Sequence, residues 1–207
     1  MGYPYVQNPL DDIPEGESRP GGFDCMTFVE NCLALAISDQ PSDFQDNLLK
    51  IRYLGGIPEY HRRNHFASAD WIPGNSNILK PANIGAKNRV RRTIDRGDFF
   101  RKKGRPLPPG NPLAKPQESE LEYFAAEELR DSIERLPDCG VAVFISPEEW
   151  LLVAHMGLFF AENGEIELFH ASLSKKVVEK RSLTTYLAMV KRFPGVSFLD
   201  ILFDDNS

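Results

Sequence analysis

LLVAHMGLFFAENGEIELFHA, residues 151–171, holds two apolar runs on either side of Asn163-Gly164. An Asn-Gly pair readily supplies the two positive-φ residues of a tight turn, so the segment reads as an antiparallel hairpin. Each run carries one histidine: His155 within the otherwise apolar first strand, His170 near the end of the second. Closing the hairpin at 163–164 brings the two side by side, within a residue or two of register. Outward from this hairpin, VAVFIS (141–146), KKVVEK (175–180) and VSFLDILF (196–203) read as further strands. SLTTYLAMVKRF (182–193) reads as a helix stopped by Pro194.

The N-terminal half has a different period. GGFDCMTFVENCLALA (21–36) predicts a helix over 24–37, with Asp24 as N-cap and Cys25 as its first residue. A second helix is expected to open at Ser42, with Ser42 and Gln45 as a capping box and Phe44, Leu48 and Ile51 on one face; Gly55 and Gly56 end it. Residues 57–117 are rich in Pro, Gly, Asn and Arg and show no clear period. A loop that long is unusual in a compact domain, so short strands or helices are expected inside it. A third helix is expected over 118–136, with Leu121, Phe124, Ala125, Leu129, Ile133 and Leu136 as its stripe and Pro137 as its stop. Helices first and strands second make an α+β domain.

The 207 residues are 42% apolar and 26% charged, ordinary globular composition for one domain. A net charge of −6 argues against nucleic-acid binding. No run approaches the roughly 18 apolar residues of a membrane span, so no stable membrane insertion is expected. The chain opens on MGYPYVQ without a signal-peptide pattern, which leaves its compartment open. Residues 87–105 gather nine Lys or Arg against two Asp, either a solvated face or a site for an anion. Three cysteines imply no disulfide framework. Cys25 and Cys32, seven apart on a helix, lie about 10 Å apart, too far to bridge. Cys32 and Cys139 read as packing residues.

Cys25 is either a small core residue or a nucleophile. A helix N-terminus favours a thiolate over a thiol and offers N–H groups to an oxyanion. A cysteine nucleophile also needs a base and a group that orients the base. His155 is either a satisfied core histidine or that base, with His170 bonding its far nitrogen and fixing its tautomer. A low-pKa Cys25 thiolate beside an imidazolium is the expected resting pair. Two histidines and a cysteine can also bind zinc, but no close-spaced pair includes them. His61 and His65, four apart, sit in a segment without convincing helical pattern. Neither a metal nor a cofactor is expected.

FDCMTFV (23–29) resembles the Asp-Cys-Ser-Gly-Phe-Val stretch of NlpC-type, papain-like cysteine amidases and peptidases of bacterial cell walls. HMGLFF…NGEIELFHAS is similar to their His-Val-Gly strand followed by His-Ala-Ser, and GYPYVQNP to their Gly-Thr-Pro-Tyr segment. The resemblance implies Cys25 as nucleophile, His155 as base, His170 as orienter and Tyr5 as an oxyanion or substrate contact. It also implies a papain-like fold over residues 1–207, N-terminal helices with the nucleophile on a helix tip packed on a C-terminal antiparallel sheet. Residues 75–117 would be an irregular insertion or cleft wall.

DCMTFVENCLALA, IRYLGG and RRNHFASADW resemble more narrowly the N-acetylmuramoyl-L-alanine amidase-like branch; Arg63, His65, Asp70 and Trp71 fall on the last of these patterns. That likeness implies cleavage of the amide between N-acetylmuramic acid and L-alanine in peptidoglycan fragments, by a monomer in the bacterial cell envelope or the cytoplasm. Met26-Thr27 replaces the Ser-Gly of the wider superfamily. Arg63 would then hold a peptide carboxylate, Trp71 or Tyr60 would stack on a sugar, Asp24 would touch a substrate amide, and His65 would line the site. Against these stand plainer readings: Arg63 ion-paired at the surface, Trp71 in the core, Asp24 only a cap, His61 in solvent. An endopeptidase or acyltransferase on the same scaffold, or a muropeptide-binding module without activity, are the rival functions.

Overall fold

The computed structural model describes Tyr3, Pro4 and residues 22–202. Two residues decide how the chain enters α1 (Cys25–Ala36): Asp24 Oδ1 accepts from the Thr27 N–H at 2.8 Å, and Thr27 Oγ1 accepts from the Asp24 N–H at 3.0 Å. This reciprocal cap satisfies two of the helix's four orphan N–H groups and leaves those of Cys25 and Met26 without an intrahelical partner. α2 (Phe44–Arg52) packs on α1 and ends before Gly55 and Gly56, both at φ near +70°. Its entry differs from expectation. A 3₁₀ turn, Pro41–Asp43, precedes it, and the box is formed by Gln40 and Asp43 rather than Ser42 and Gln45.

The six strands β1 (Leu79–Pro81), β4 (Cys139–Ile145), β5 (Val153–Glu162), β6 (Glu165–Ser172), β7 (Val177–Ser182) and β8 (Val196–Ile201) form one antiparallel sheet in the order β1-β8-β4-β5-β6-β7. The β5–β6 hairpin turns at Asn163 and Gly164, whose φ values of 53° and 76° are those an Asn-Gly turn allows. Successive residues of β4 alternate between two cores. Val141, Val143 and Ile145 pack with Val29, Leu33, Leu48, Ile51 and Trp71. Ala142 and Phe144 pack with Leu129, Leu183, Leu187 and Phe193 on the other face. Helices thus cover both faces: α1 and α2 on one, α5 (Leu183–Met189) on the other.

The expected helix over 118–136 is not formed. Gln117–Tyr123 is strand β3, paired antiparallel with β2 (Asn88–Ile94) in a separate two-stranded ribbon, and Leu129–Arg135 is a 3₁₀ helix. The reason is a period-2 pattern: Glu118, Glu120 and Glu122 are exposed while Ser119, Leu121 and Tyr123 turn inward. The 75–117 segment also contains β1, β2, α4 (Arg96–Lys102) and a 3₁₀ turn at Pro112–Ala114. Between α2 and β1 lie a 3₁₀ turn at Tyr60–Arg62, a π-helical turn at Ala67–Trp71 and the short α3 (Ile72–Gly74).

Candidate active site

α1 packs against β5, and the junction holds a cleft of about 290 Å³ lined by Asp24, Cys25, Met26, Arg63, His65, Phe99, Lys103 and His155 among others. Cys25 thus stands at a helix tip in the wall of the cleft, and His155 on β5 lines the same cleft. Among the described residues no hydrogen bond joins Cys25 to His155. Catalytic contacts often tighten only when substrate is bound.

His155 and His170 do meet: Nε2 of His155 and Nδ1 of His170 lie 2.9 Å apart, both rings buried and nearly perpendicular. The hairpin places them on one sheet face as diagonal neighbours. Gly157 makes the approach possible, because a Cβ there would fall 2.9 Å from His170 Cβ and 2.7 Å from the Phe169 carbonyl oxygen. This hydrogen bond occupies Nε2 of His155 and leaves its Nδ1 for other chemistry.

The charge state differs from expectation. Burial, reinforced by Asp24, pushes the Cys25 thiol up to about 12, against the lowering pull of backbone amides at Met156, Met26 and Cys25. Burial, with His170 and Arg192, lowers His155 to about 3. Burial also lowers His170 to about 4; Glu179 opposes this and Arg181 adds to it. Burial therefore opposes a resting thiolate at the helix tip and favours the neutral thiol and imidazoles, so that ionisation accompanies bond formation.

The remaining expected residues divide. Asp24 is the cap and also lines the cleft. Arg63 is buried, lines the cleft, and with Arg52 lowers the otherwise raised pKa of buried Glu30. The surface ion-pair reading of Arg63 is therefore corrected. His65 lines the cleft while Nε2 meets the Tyr60 carbonyl oxygen at 3.0 Å, among the rings of Tyr60, Phe99 and Phe100. Trp71 is 0% exposed in the core beneath α1, so no ring face is open to a sugar and its substrate role is withdrawn. The Tyr60 face is covered by Arg105, 4.2 Å from the ring centroid. His61 is half-buried, with Nε2 2.9 Å from the Arg105 carbonyl oxygen, not in solvent. Asp70 pairs with buried Arg96. Tyr5 lies outside the described residues; the neighbouring Pro4 bridges to Val177 on β7.

Sequence reasoning missed four contributors. Phe99 in α4 and Lys103 at its C-cap supply part of the cleft wall. Tyr186 on α5 has its ring 4.7 Å from that of His170, and burial raises its phenol to about 12. Arg192 lines a second hollow of about 390 Å³ that shares His155 with the first. As the one aromatic residue of α5, Tyr186 was itself the available signal.

Comparison with known proteins places the chain in a family. The sequence matches the AmiA-like, N-acetylmuramoyl-L-alanine amidase-like family over residues 1–196. The chain belongs to that family. Among solved structures it is similar to an N-acetylmuramoyl-L-alanine amidase from Bacteroides uniformis, with a TM-score of 0.80 at 25% identity, covering 98% of this chain and 94% of the other. A Legionella pneumophila protein of the family DUF1460 superposes with a TM-score of 0.82 at 22% identity, over 98% of this chain and 85% of that one, a likeness of fold. No curated protein matches the sequence significantly.

Proposed function

We propose that the protein is a cysteine amidase of the NlpC-type, papain-like kind that hydrolyses the amide between N-acetylmuramic acid and L-alanine in peptidoglycan fragments, acting in the cell envelope. The observation that carries this reading is that Cys25 and His155 line one cleft beside α1, with His170 hydrogen-bonded to the far nitrogen of His155. Membership of the amidase-like family and the likeness to the amidase relative support that choice of amide.

Cys25 Sγ attacks the lactyl carbonyl carbon while Nδ1 of His155 takes the thiol proton, so no resting thiolate is needed. The N–H groups of Cys25 and Met26, unpaired within the helix, receive the developing oxyanion. His155 returns the proton to the departing L-alanine nitrogen as the C–N bond breaks, leaving a thioester on Cys25. It then takes a proton from the water that attacks the thioester, releasing the muramic acid carboxylate and restoring the thiol. Arg63 and Lys103 in the cleft suit the carboxylates of the stem peptide.

The test is product analysis by mass spectrometry, with muramoyl tripeptide and with the tripeptide alone. Wild-type protein is expected to release intact tripeptide from the first and nothing from the second. Cys25→Ala, which removes one small half-buried side chain, is expected to stay folded and show no turnover. Cuts inside the peptide would assign a peptidase, and retained turnover in Cys25→Ala would remove the nucleophile.

A further inference from the structure

We propose that Glu179 is a positioning residue, its carboxylate selecting the His170 tautomer that leaves Nδ1 of His155 bare to accept the Cys25 proton. The proposal rests on the amidase reading only for the role of Cys25.

A neutral imidazole has one N–H and one lone pair. The 2.9 Å contact between His155 Nε2 and His170 Nδ1 therefore holds a single proton, and its owner decides everything downstream. If His170 Nδ1 owns it, His155 carries its own proton on Nδ1, and the nitrogen left for Cys25 is a donor. If His155 Nε2 owns it, His155 Nδ1 is a lone pair, and His170 must carry its proton on Nε2. Only the second arrangement contains a base.

The surroundings of His170 Nε2 favour that second arrangement. The atom is buried and has no hydrogen-bond partner among the described residues. Glu179 sits directly across the β6–β7 ladder from His170, with Oε1 3.7 Å from Nε2. A lone pair there would face a carboxylate across a dry gap; an N–H there is attracted to it. Glu179 is itself held: Arg181 Nε lies 2.7 Å from Oε2, and Ser172 also favours the charged carboxylate. Burial disfavours its charge, but Arg181 and Ser172 outweigh burial and keep it ionised, hence acceptor-only.

The same charge answers the imidazolium that forms when His155 takes the thiol proton. The polarised path runs from His155 Nε2–H to His170 Nδ1, and from His170 Nε2–H to Glu179, with no further proton transfer required. The other groups facing the pair do not replace it. Tyr186 from α5 is a raised, neutral phenol, whereas Arg181 on β7 and Arg192 after α5 are cations that oppose the imidazolium.

The experiment uses the full chain as wild type, Glu179→Gln and Glu179→Ala, each checked for an unchanged fold by thermal unfolding. Ring ¹⁵N shifts at pH 7 are expected to show both histidines protonated at Nε2 in the wild type and in Glu179→Gln, whose carboxamide oxygen still accepts. In Glu179→Ala, His155 is expected to move toward the Nδ1-protonated form. Alkylation of Cys25 by iodoacetamide at pH 7 should slow by about 10-fold or more in Glu179→Ala and by less in Glu179→Gln, and kcat should fall with KM unchanged. A wild type protonated at His155 Nδ1, or tautomers and alkylation that ignore Glu179→Ala, would overturn the proposal. Expected tautomers in a wild type that cleaves no muramoyl peptide would leave this inference standing and remove the amidase reading.

Discussion

Two chains of polar side chains run through the interior, and they are built on opposite principles. Between α1 and α2, Glu30 of α1 is fully buried and joined to Arg52 of α2 at 2.8 Å, with Arg63 acting on the same carboxylate. Across β5, β6 and β7, His155 and His170 are buried but neutral, and formal charge begins only at Glu179 and Arg181 near the surface. A buried ion pair holds fixed charges in fixed places and tolerates no missing partner. A pair of neutral imidazoles can be buried cheaply and still accept a proton when chemistry supplies one. The first chain positions; the second titrates.

The largest test of that contrast is Glu30→Ala. It strands Arg52, only 3% exposed, without its carboxylate, and breaking a buried pair in this way costs about 3–5 kcal/mol. Since a domain of this size is stable by only about 5–15 kcal/mol, the urea midpoint should fall steeply. Arg63 shares Glu30, so activity should suffer as well. A midpoint close to wild type would make the two chains equivalent and sink the distinction.

The imidazole chain depends on spacing rather than charge, and Gly157→Ala probes it. The new Cβ would sit 2.9 Å from His170 Cβ and 2.7 Å from backbone, so the strand or His170 must shift. Overpacking of this kind costs about 1–3 kcal/mol. A displacement near 1 Å at a catalytic group is worth about 100-fold in rate. The expected result is a folded protein with kcat down by about that factor; full turnover would show that His170 does not need its place.

How much of this was legible depended on whether each signal was local. The cap at Asp24, the Asn163-Gly164 turn and the sidedness of β5 and β6 are written within a few residues, and from them follows the adjacency of His155 and His170. Glu179 was within reach too: once β6 turns at 173–176, the register sets it opposite His170. It was missed because the short KKVVEK run gave no turn signal from which to count. Strand β3 reads as helix since Leu121, Phe124, Ala125 and Leu129 satisfy a 3.6-residue period, while the Glu118-Glu120-Glu122 alternation that wins is equally present. The cleft itself was not legible. Its walls come from α1, the turn at Arg63–His65, the end of α4 and the start of β5, and no local pattern encodes that convergence.

Titration separates the two chains more gently. Unfolded histidine has a pKa near 6.5, whereas folded His155 and His170 lie near 3 and 4. Between those values the unfolded chain binds protons that the folded one refuses. Their contribution to stability is therefore complete above about pH 6.5 and is lost as the pH falls toward 3. Denaturant midpoints at pH 7 and pH 4.5 should differ more for wild type than for the His155→Gln, His170→Gln double variant. An equal change in midpoint would mean that folding does not lower the two histidine pKa values, which would undo the account of a buried pair that resists protonation.

The smallest effect is expected where the sequence looked most charged. Of the nine basic residues in 87–105, Arg89 and Arg91 lie on the exposed face of β2, opposite Glu122 and Glu120 of β3. They contact those carboxylates at 2.7 and 2.8 Å. Such exposed pairs are screened by water and salt and cost side-chain entropy to hold, so their net worth is small. Neither arginine lines the cleft, unlike Lys103 from the same run. Replacing both by glutamine should leave the unfolding midpoint at 150 mM salt and the turnover of muramoyl tripeptide where they were. A fall in turnover with the midpoint unmoved would make the ribbon a substrate surface and turn the solvated-face reading of this stretch into the anion-site reading.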